Sequence, residues 1–278
     1  MKKFNVQGLC VPEDDYMMDI TGKIEKIKKY IDRGEYFSIE KPAKYGKSTI
    51  LAALERRLRD EYIVIAINFA HIKPNYHNST KDFCSAFITQ AVDALGFSCD
   101  DREYTVKWRN YGVQDFNAFS NHITEMCRDR KVVLIIDNAD KNGYNRIFLD
   151  FCFMLKRKRE AGENGGDYTF YSVIFSVTGI YDKNHKRVPE IYSAPWDIAS
   201  DFKITLSFGK KEIASMLKEY EANRNTGMNI IEITETIYDL TCGYPHWVSR
   251  ICKYGDKNFN QKWNSYKLIE AAKTIIKR

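Results

Sequence analysis

The sequence predicts an α/β fold: a parallel sheet flanked by helices, followed by a small all-helical region. Three observations predict it. Runs of apolar, largely β-branched residues recur at 62–69, 131–137 and 171–178, as in strands buried on both faces of a parallel sheet. Between them lie segments of helical period, and strands that alternate with helices imply right-handed parallel crossovers. After Phe208 the strand pattern stops and only helical segments follow. The expected division is therefore residues 1–205 for the α/β part and 206–278 for the helical part.

The elements follow in order. Ile20, Ile24, Ile27 and Ile31 share one face of a helix over 20–31, capped by Asp19 or Thr21 and followed by Gly34. Tyr36–Ile39 is a short β-like run. Residues 48–60 read as a helix with Ile50, Leu51, Leu54 and Leu58 inward. Further helices are expected at 82–95, 116–128 and 144–159. The segment 97–111 reads as an irregular loop, and 162–166 as a turn. In the last third, helices are expected at 210–221, 230–241, 245–253 and 267–276.

Composition sets limits. Of the 278 residues 44% are hydrophobic, enough for a sizeable core. No apolar run is long enough for a membrane span, and the N-terminus lacks a secretory signal pattern, so a cytoplasmic protein is expected. The seven cysteines include no C-x-x-C pair, which favours reduced thiols over a zinc or disulfide framework. The net charge of +6 is compatible with nucleic acid as a partner without arguing for it. The densest basic run, Lys156-Arg157-Lys158-Arg159, reads as a solvated helix end. His71, His77, His122 and His185 show no metal-ligand spacing.

Two motifs carry chemistry. The first is Lys41-Pro42-Ala43-Lys44-Tyr45-Gly46-Lys47-Ser48-Thr49, placed between an expected strand and an expected helix. In a phosphate loop, backbone N–H groups and a helix N-terminus face phosphate oxygens. Lys47 would meet the β- and γ-phosphates of ATP, and the Ser48 hydroxyl would ligate Mg²⁺. The full pattern has glycine where this chain has Lys41. Alone, the motif is balanced by a plain reading, a helix start with a capping serine. The second motif lies about ninety residues downstream: an apolar strand that ends in Asp137. There a carboxylate would hold the Mg²⁺; an Asx-turn is the plain alternative. Together the two predict a parallel-sheet P-loop NTPase domain that binds ATP and Mg²⁺ and then ADP, with the helical region as a lid.

Asn138 stands beside that aspartate. An amide can orient water but cannot accept its proton, so hydrolysis is expected to be slow or absent unless Asp140 substitutes. Thr178, with Ser176 second, is the candidate γ-phosphate sensor at the third strand's end; a hydroxyl satisfying local backbone is the alternative. His246 and Arg250, at i, i+4 after Gly243-Tyr244-Pro245, are candidate lid residues toward the phosphates. Arg146 and Arg187 are the arginines considered as fingers.

These residues resemble the AAA-like ATPase domains of bacterial proteins in the AAA/STAND-related P-loop group. The likeness runs through Gly8–Pro12 with Tyr16–Asp19, Gly34–Phe37, Tyr45–Thr49, Ile135–Asp137, Ser193–Ala199 with Asp201-Phe202, Glu219-Tyr220, and Gly243–Pro245 with Ser249-Arg250. The resemblance implies that a residue other than glycine at position 41 is usual in the group. It also implies that position 138 typically carries glutamate, so Asn138 departs in catalysis rather than in binding. The segment around Tyr16 is expected to frame the adenine. Such domains often precede a PD-(D/E)XK nuclease-like domain; this chain shows no Asp…Glu-x-Lys array, and none is expected here. Three functions remain open: an ATP-dependent conformational switch, a nucleotide-stabilised module that binds an unknown protein partner, and an ATPase subunit of a nucleic-acid-associated complex.

Overall fold

The computed structural model describes residues 1–72, 79–109, 112–141, 146–178, 198–260 and 262–276. The chain folds as two compact units. One comprises Lys26–Pro42 with Leu51–Lys203; the other comprises Met1–Glu25, Ala43–Ile50 and Ile204–Arg278. This differs from a linear division at residue 205. The N-terminal segment and Ala43–Ile50 group with the helical region, not with the sheet.

The first unit is built on strands β1 (Tyr36–Glu40), β2 (Ile63–Asn68), β3 (Val132–Asp137), β4 (Ser172–Val177) and β5 (Ser200–Asp201). Their order is β2-β3-β4-β1-β5, and every pair in the sheet is parallel. β3 and β4 are buried along their whole length, in keeping with sequences that are apolar apart from Asp137, Ser172 and Ser176. Because all strands run one way, β1, β2, β3 and β4 bring their C-terminal ends to one edge. Asn68 lies opposite Asp137 and Glu40 opposite Val177.

The helices of the chain are α1 (Thr21–Ile31), α2 (Lys47–Leu58), α3 (Thr80–Ser98), α4 (Arg102–Trp108), α5 (Phe116–Cys127), α6 (Arg146–Glu163), α7 (Lys210–Arg224), α8 (Ile230–Thr241), α9 (Pro245–Asn258) and α10 (Ser265–Ile276). α3, α5 and α6 pack Phe83, Phe87, Phe119, Phe148 and Phe151 into the core of the sheet unit. The loop expected over 97–111 contains α4. Asp101 caps it through the Tyr104 N–H, and Tyr104 and Trp108, four residues apart, are its buried anchors. Two buried positions in seven residues, with Val106 exposed between them, give too short a period to read from sequence. β5, two residues on the sheet edge, is equally invisible there.

The basic run is not a helix end. α6 continues to Glu163, and Lys158 is only 3% exposed; its ammonium bonds Asp167 at 2.7 Å and Thr124 at 2.6 Å.

In the second unit, α7 to α10 surround Ile213, Leu217, Ile237, Val248, Ile251 and Leu268. Phe4, Tyr16 and Met18 from the N-terminal segment complete that core, with Phe4 against Tyr16, Tyr220 and Trp263. All seven cysteines are free. No helix among the described residues is long and apolar enough to cross a membrane.

Candidate nucleotide site

The loop that leaves β1 is held at its start by the Lys41 N–H, which donates to the Val177 carbonyl at 3.2 Å. Two residues turn it left-handed, Lys44 at φ 67° and Gly46 at φ 77°. Gly46 adopts this at no steric cost; Lys44 does so against the usual preference of a side-chain-bearing residue. Alternation into the left-handed region is how a loop turns successive N–H groups inward to form an anion cradle. Lys41 is not left-handed, so the position needs no glycine. α2 begins at Lys47, and the Ile50 N–H closes onto the Gly46 carbonyl at 3.0 Å. Lys47 is 8% exposed, while Ser48 presents its hydroxyl side chain at an exposed position. Pro42 and Ala43 are exposed, and Tyr45 is half-buried.

Within the helical unit, Tyr244 grips this loop twice. Its hydroxyl donates to the Ala43 carbonyl at 2.9 Å, and its ring lies 4.6 Å from that of Tyr45. Tyr244 is the N-cap residue of α9, with Pro245 at the first helical position. The turn before it is tightly fixed. Gly243 has φ 70°, its carbonyl accepts the Phe208 N–H at 2.8 Å, and an added Cβ would lie 1.9 Å from the Phe208 carbonyl oxygen. Sequence reasoning finds this turn but misses Tyr244 as a residue that holds the loop.

His246 sits one residue into α9. Burial, Lys44 and Arg250 hold its imidazole below the ordinary value, which favours the neutral ring. Arg250 lays its guanidinium 5.1 Å from the centre of Trp247. The Thr49 hydroxyl accepts the Cys10 N–H at 3.4 Å. Tyr16 is placed differently from its expected role. It is 3% exposed, packed between Phe4 and Tyr220, and so has no open ring face for a purine.

In the sheet unit, the strand ends form a second cluster. Asp137, 8% exposed, accepts the Ser176 hydroxyl at 2.8 Å and the Asn138 N–H at 2.9 Å on one oxygen. Ser176 is fully buried, and it rather than Thr178 is the polar residue of β4 bonded to Asp137; Thr178 lies half-buried just past the strand. Asn138 is left-handed, φ 55°, and its amide donates to the Asn68 side-chain oxygen at 3.0 Å. The same oxygen accepts the Ala70 N–H at 2.9 Å. Asparagine tolerates this backbone, whereas glutamate there would carry about 1–2 kcal/mol of strain. The geometry thus explains why an amide suits position 138. Asp140 is half-buried, with Oδ1 shielded from solvent and without a hydrogen-bond partner among the described residues.

No group of three His, Cys, Asp or Glu residues among the described residues gathers as a metal site. A magnesium ion held largely by phosphate and water needs less. Hard oxygen donors such as the Ser48 hydroxyl and the Asp137 carboxylate are the right type. Arg146, the first residue of α6, has a 93% exposed side chain, 4.0 Å from Asp150. Arg187 lies outside the described residues, as do His77, His185 and 193–197.

No family model matches this chain, and no curated protein matches its sequence. Solved structures do match its fold. The Walker-type ATPase of Pyrococcus abyssi is similar at TM-score 0.60 and 14% identity, over 99% of this chain and 77% of that one. The Aeropyrum pernix ORC2 protein, solved in ADPNP–ADP complexes, is similar at TM-score 0.54 and 13% identity, over 98% and 71%. The ORC1 protein of the same organism, solved in complex with DNA, gives TM-score 0.50 and 10% identity, over 94% and 66%. At these identities the likeness establishes the fold alone: a parallel α/β sheet with helices and a helical C-terminal part, as in those proteins.

Proposed function

We propose that the chain binds ATP with Mg²⁺ and acts as a nucleotide-dependent conformational switch of the AAA-like type. The observation that carries this reading is the loop itself: left-handed Lys44 and Gly46 lead directly into Lys47 at the start of α2. In this reading Lys47 supplies a point charge to the phosphates, and the first N–H groups of α2 add the helix dipole. Ser48 and Asp137 are the oxygen donors for the ion, which when bound neutralises phosphate charge. Ser176 positions Asp137 by donating to one oxygen. His246, neutral near pH 7, is suited to accept or donate a hydrogen bond rather than to add charge. Tyr244 gives the switch its lever, because any shift of the Ala43 carbonyl on phosphate binding is transmitted to the cap of α9.

Hydrolysis is weak in this reading. Asn138 offers no proton acceptor, and its amide is committed to Asn68. That same observation favours a second reading, in which nucleotide stabilises the chain as a module for a protein partner. Asp140 is the acid that would supply turnover if turnover is found.

The test is calorimetry of Mg-ATP binding. Lys47→Ala should weaken affinity about ten- to a hundredfold, the worth of one charge-assisted contact. Equal affinity in parent and variant would remove the proposal. Turnover measured on the same samples separates the two readings. Rates about 10²–10⁴-fold below those of P-loop enzymes that carry a general base fit a site without one; ordinary rates would assign the base to Asp140 or another acid.

A further inference from the structure

We propose that the outward face of α9 is a docking groove for single-stranded nucleic acid. This goes beyond the nucleotide site, with which the face shares His246 at its start, and its test is run without ATP.

α9 segregates its residues sharply. Pro245, Val248, Ile251, Cys252 and Gly255 are buried in the helical core. The opposite face repeats a pattern at a seven-residue interval: His246, Trp247 and Arg250, then Lys253, Tyr254 and Lys257. Seven residues are close to two helical turns, so each cation or imidazole and each aromatic ring recurs on the same side. The second repeat, with Arg250, lines a cavity of about 220 Å³ whose wall contains no carboxylate. Lys253 and Lys257 make no ion pair among the described residues. The acid nearest in sequence, Asp256, is turned to Tyr220 at 2.9 Å and Arg224 at 3.5 Å. Positive charge is therefore left uncompensated along one side of one helix.

The aromatic rings choose among polyanions. Trp247 and Tyr254 are half-buried, packed on the helical core from beneath. They are fixed rings set between cations; Arg250 already lies 5.1 Å from the centre of Trp247, so Tyr254 is the platform left for a base. That pairing of backbone-tracking charge with stacking faces is the chemistry of sequence-tolerant single-strand binding. A membrane surface would call instead for apolar side chains that protrude, and an acidic peptide has no flat faces to stack. Positions 246 to 257 span about 16 Å at ~1.5 Å per residue. That is room for about four or five nucleotides at ~3.4 Å each, within the range of known single-strand sites.

The experiment is fluorescence anisotropy of a labelled 12-nucleotide mixed-sequence DNA strand with the whole chain, without ATP, across a salt series. The parent should bind, with log affinity falling linearly against log salt. Lys253→Gln with Lys257→Gln should bind more weakly, with a salt slope shallower by about 1.4, or ~0.7 for each phosphate no longer neutralised. Tyr254→Leu keeps apolar bulk but removes the stacking face; it should weaken binding about fivefold or more and leave the salt slope unchanged. Circular dichroism checks that each variant keeps its fold. No binding by the parent at low salt overturns the proposal. So does binding that neither variant alters, or equal displacement of the strand by polyglutamate. Binding to vesicles with 30% phosphatidylserine but not to the strand would assign the face to lipid and also overturn it.

Discussion

Two basic segments of this molecule are spaced differently in sequence, and the difference decides where their charge goes. In the sheet unit, α6 carries four consecutive cations, Lys156 to Arg159. Lys158 is buried against Asp167 and Thr124. Arg159 lies 4.6 Å from the ring centre of Tyr36 and pairs with Glu163 at 3.2 Å. Two of the four charges are thus spent inside the fold, while Arg157 is exposed. In the helical unit, α9 carries Arg250, Lys253 and Lys257, nowhere adjacent in sequence, yet all three line one cavity free of acids. Four consecutive residues point all around a helix, whereas residues three, four and seven apart share a face. Charge density along a chain is thus a poor guide to charge on a surface; spacing is a better one.

The comparison breaks if α9 is not held where its cations can align, and Gly243 is the residue that holds its start. An added Cβ would meet the Phe208 carbonyl oxygen at 1.9 Å, and the backbone is already left-handed. No rotamer change relieves a backbone clash. Gly243→Ala should therefore cost about 4 kcal/mol or more, among the larger single-residue effects. Chemical denaturation measures it. A loss under ~1 kcal/mol would mean that the turn before α9 is not fixed in this way.

The next effect sharpens the other side. Lys158→Met keeps the stem of the side chain but strips Asp167 and Thr124 of their shared donor. The expected loss is about 2–3 kcal/mol, because a partly buried charge is left without its partner. pH offers a second reading. Partial burial works to raise the Asp167 carboxyl, yet the hydrogen bonds from Lys158 and Thr124 hold it below its ordinary 3.8. A depressed carboxylate gives stability that is present above the ordinary value and lost as pH falls below it. The parent should thus lose stability below about pH 4 more steeply than the variant. Parallel curves would remove Asp167 from the account.

How much of this is legible in the sequence depends on what kind of signal each feature leaves. The three long strands are legible because burial on both faces favours runs that are mostly apolar and β-branched, and the core helices because their period exceeds two turns. The turn into α2 is legible because Gly46-Lys47-Ser48 is a local pattern, and Asp137 because it ends an apolar run. The Asn138–Asn68 pair is not, since it joins residues 70 apart across neighbouring strands and neither side chain announces a partner. Tyr244 on Ala43, 201 residues apart, is hidden for the same reason. The burial of Tyr16 against Phe4 and Tyr220 is likewise a tertiary fact that the segment around it does not announce. Pattern shows which face a residue lies on. It does not show what the face meets.

The smallest effect is the one that decides whether α9 and α6 truly differ. If Lys253 and Lys257 had hidden structural partners, removing them would cost stability as removing Lys158 does. The cavity beside them has no carboxylate, and Asp256 is engaged elsewhere by Tyr220 and Arg224. Lys253→Gln with Lys257→Gln should then change unfolding free energy by less than ~0.5 kcal/mol, the ordinary range for surface substitutions. The sign is informative as well. Three cations on successive turns of one helix repel, and like charges at such spacing destabilise by about 0.2–0.5 kcal/mol per pair. Neutralising two of them should leave the protein unchanged or slightly more stable at low salt, with the gain fading as salt screens the repulsion. A cation kept at slight cost to the fold is one whose use lies outside it. A loss of ~2 kcal/mol, equal to that of Lys158→Met, would show that both basic segments serve the fold, and the distinction between them would fall.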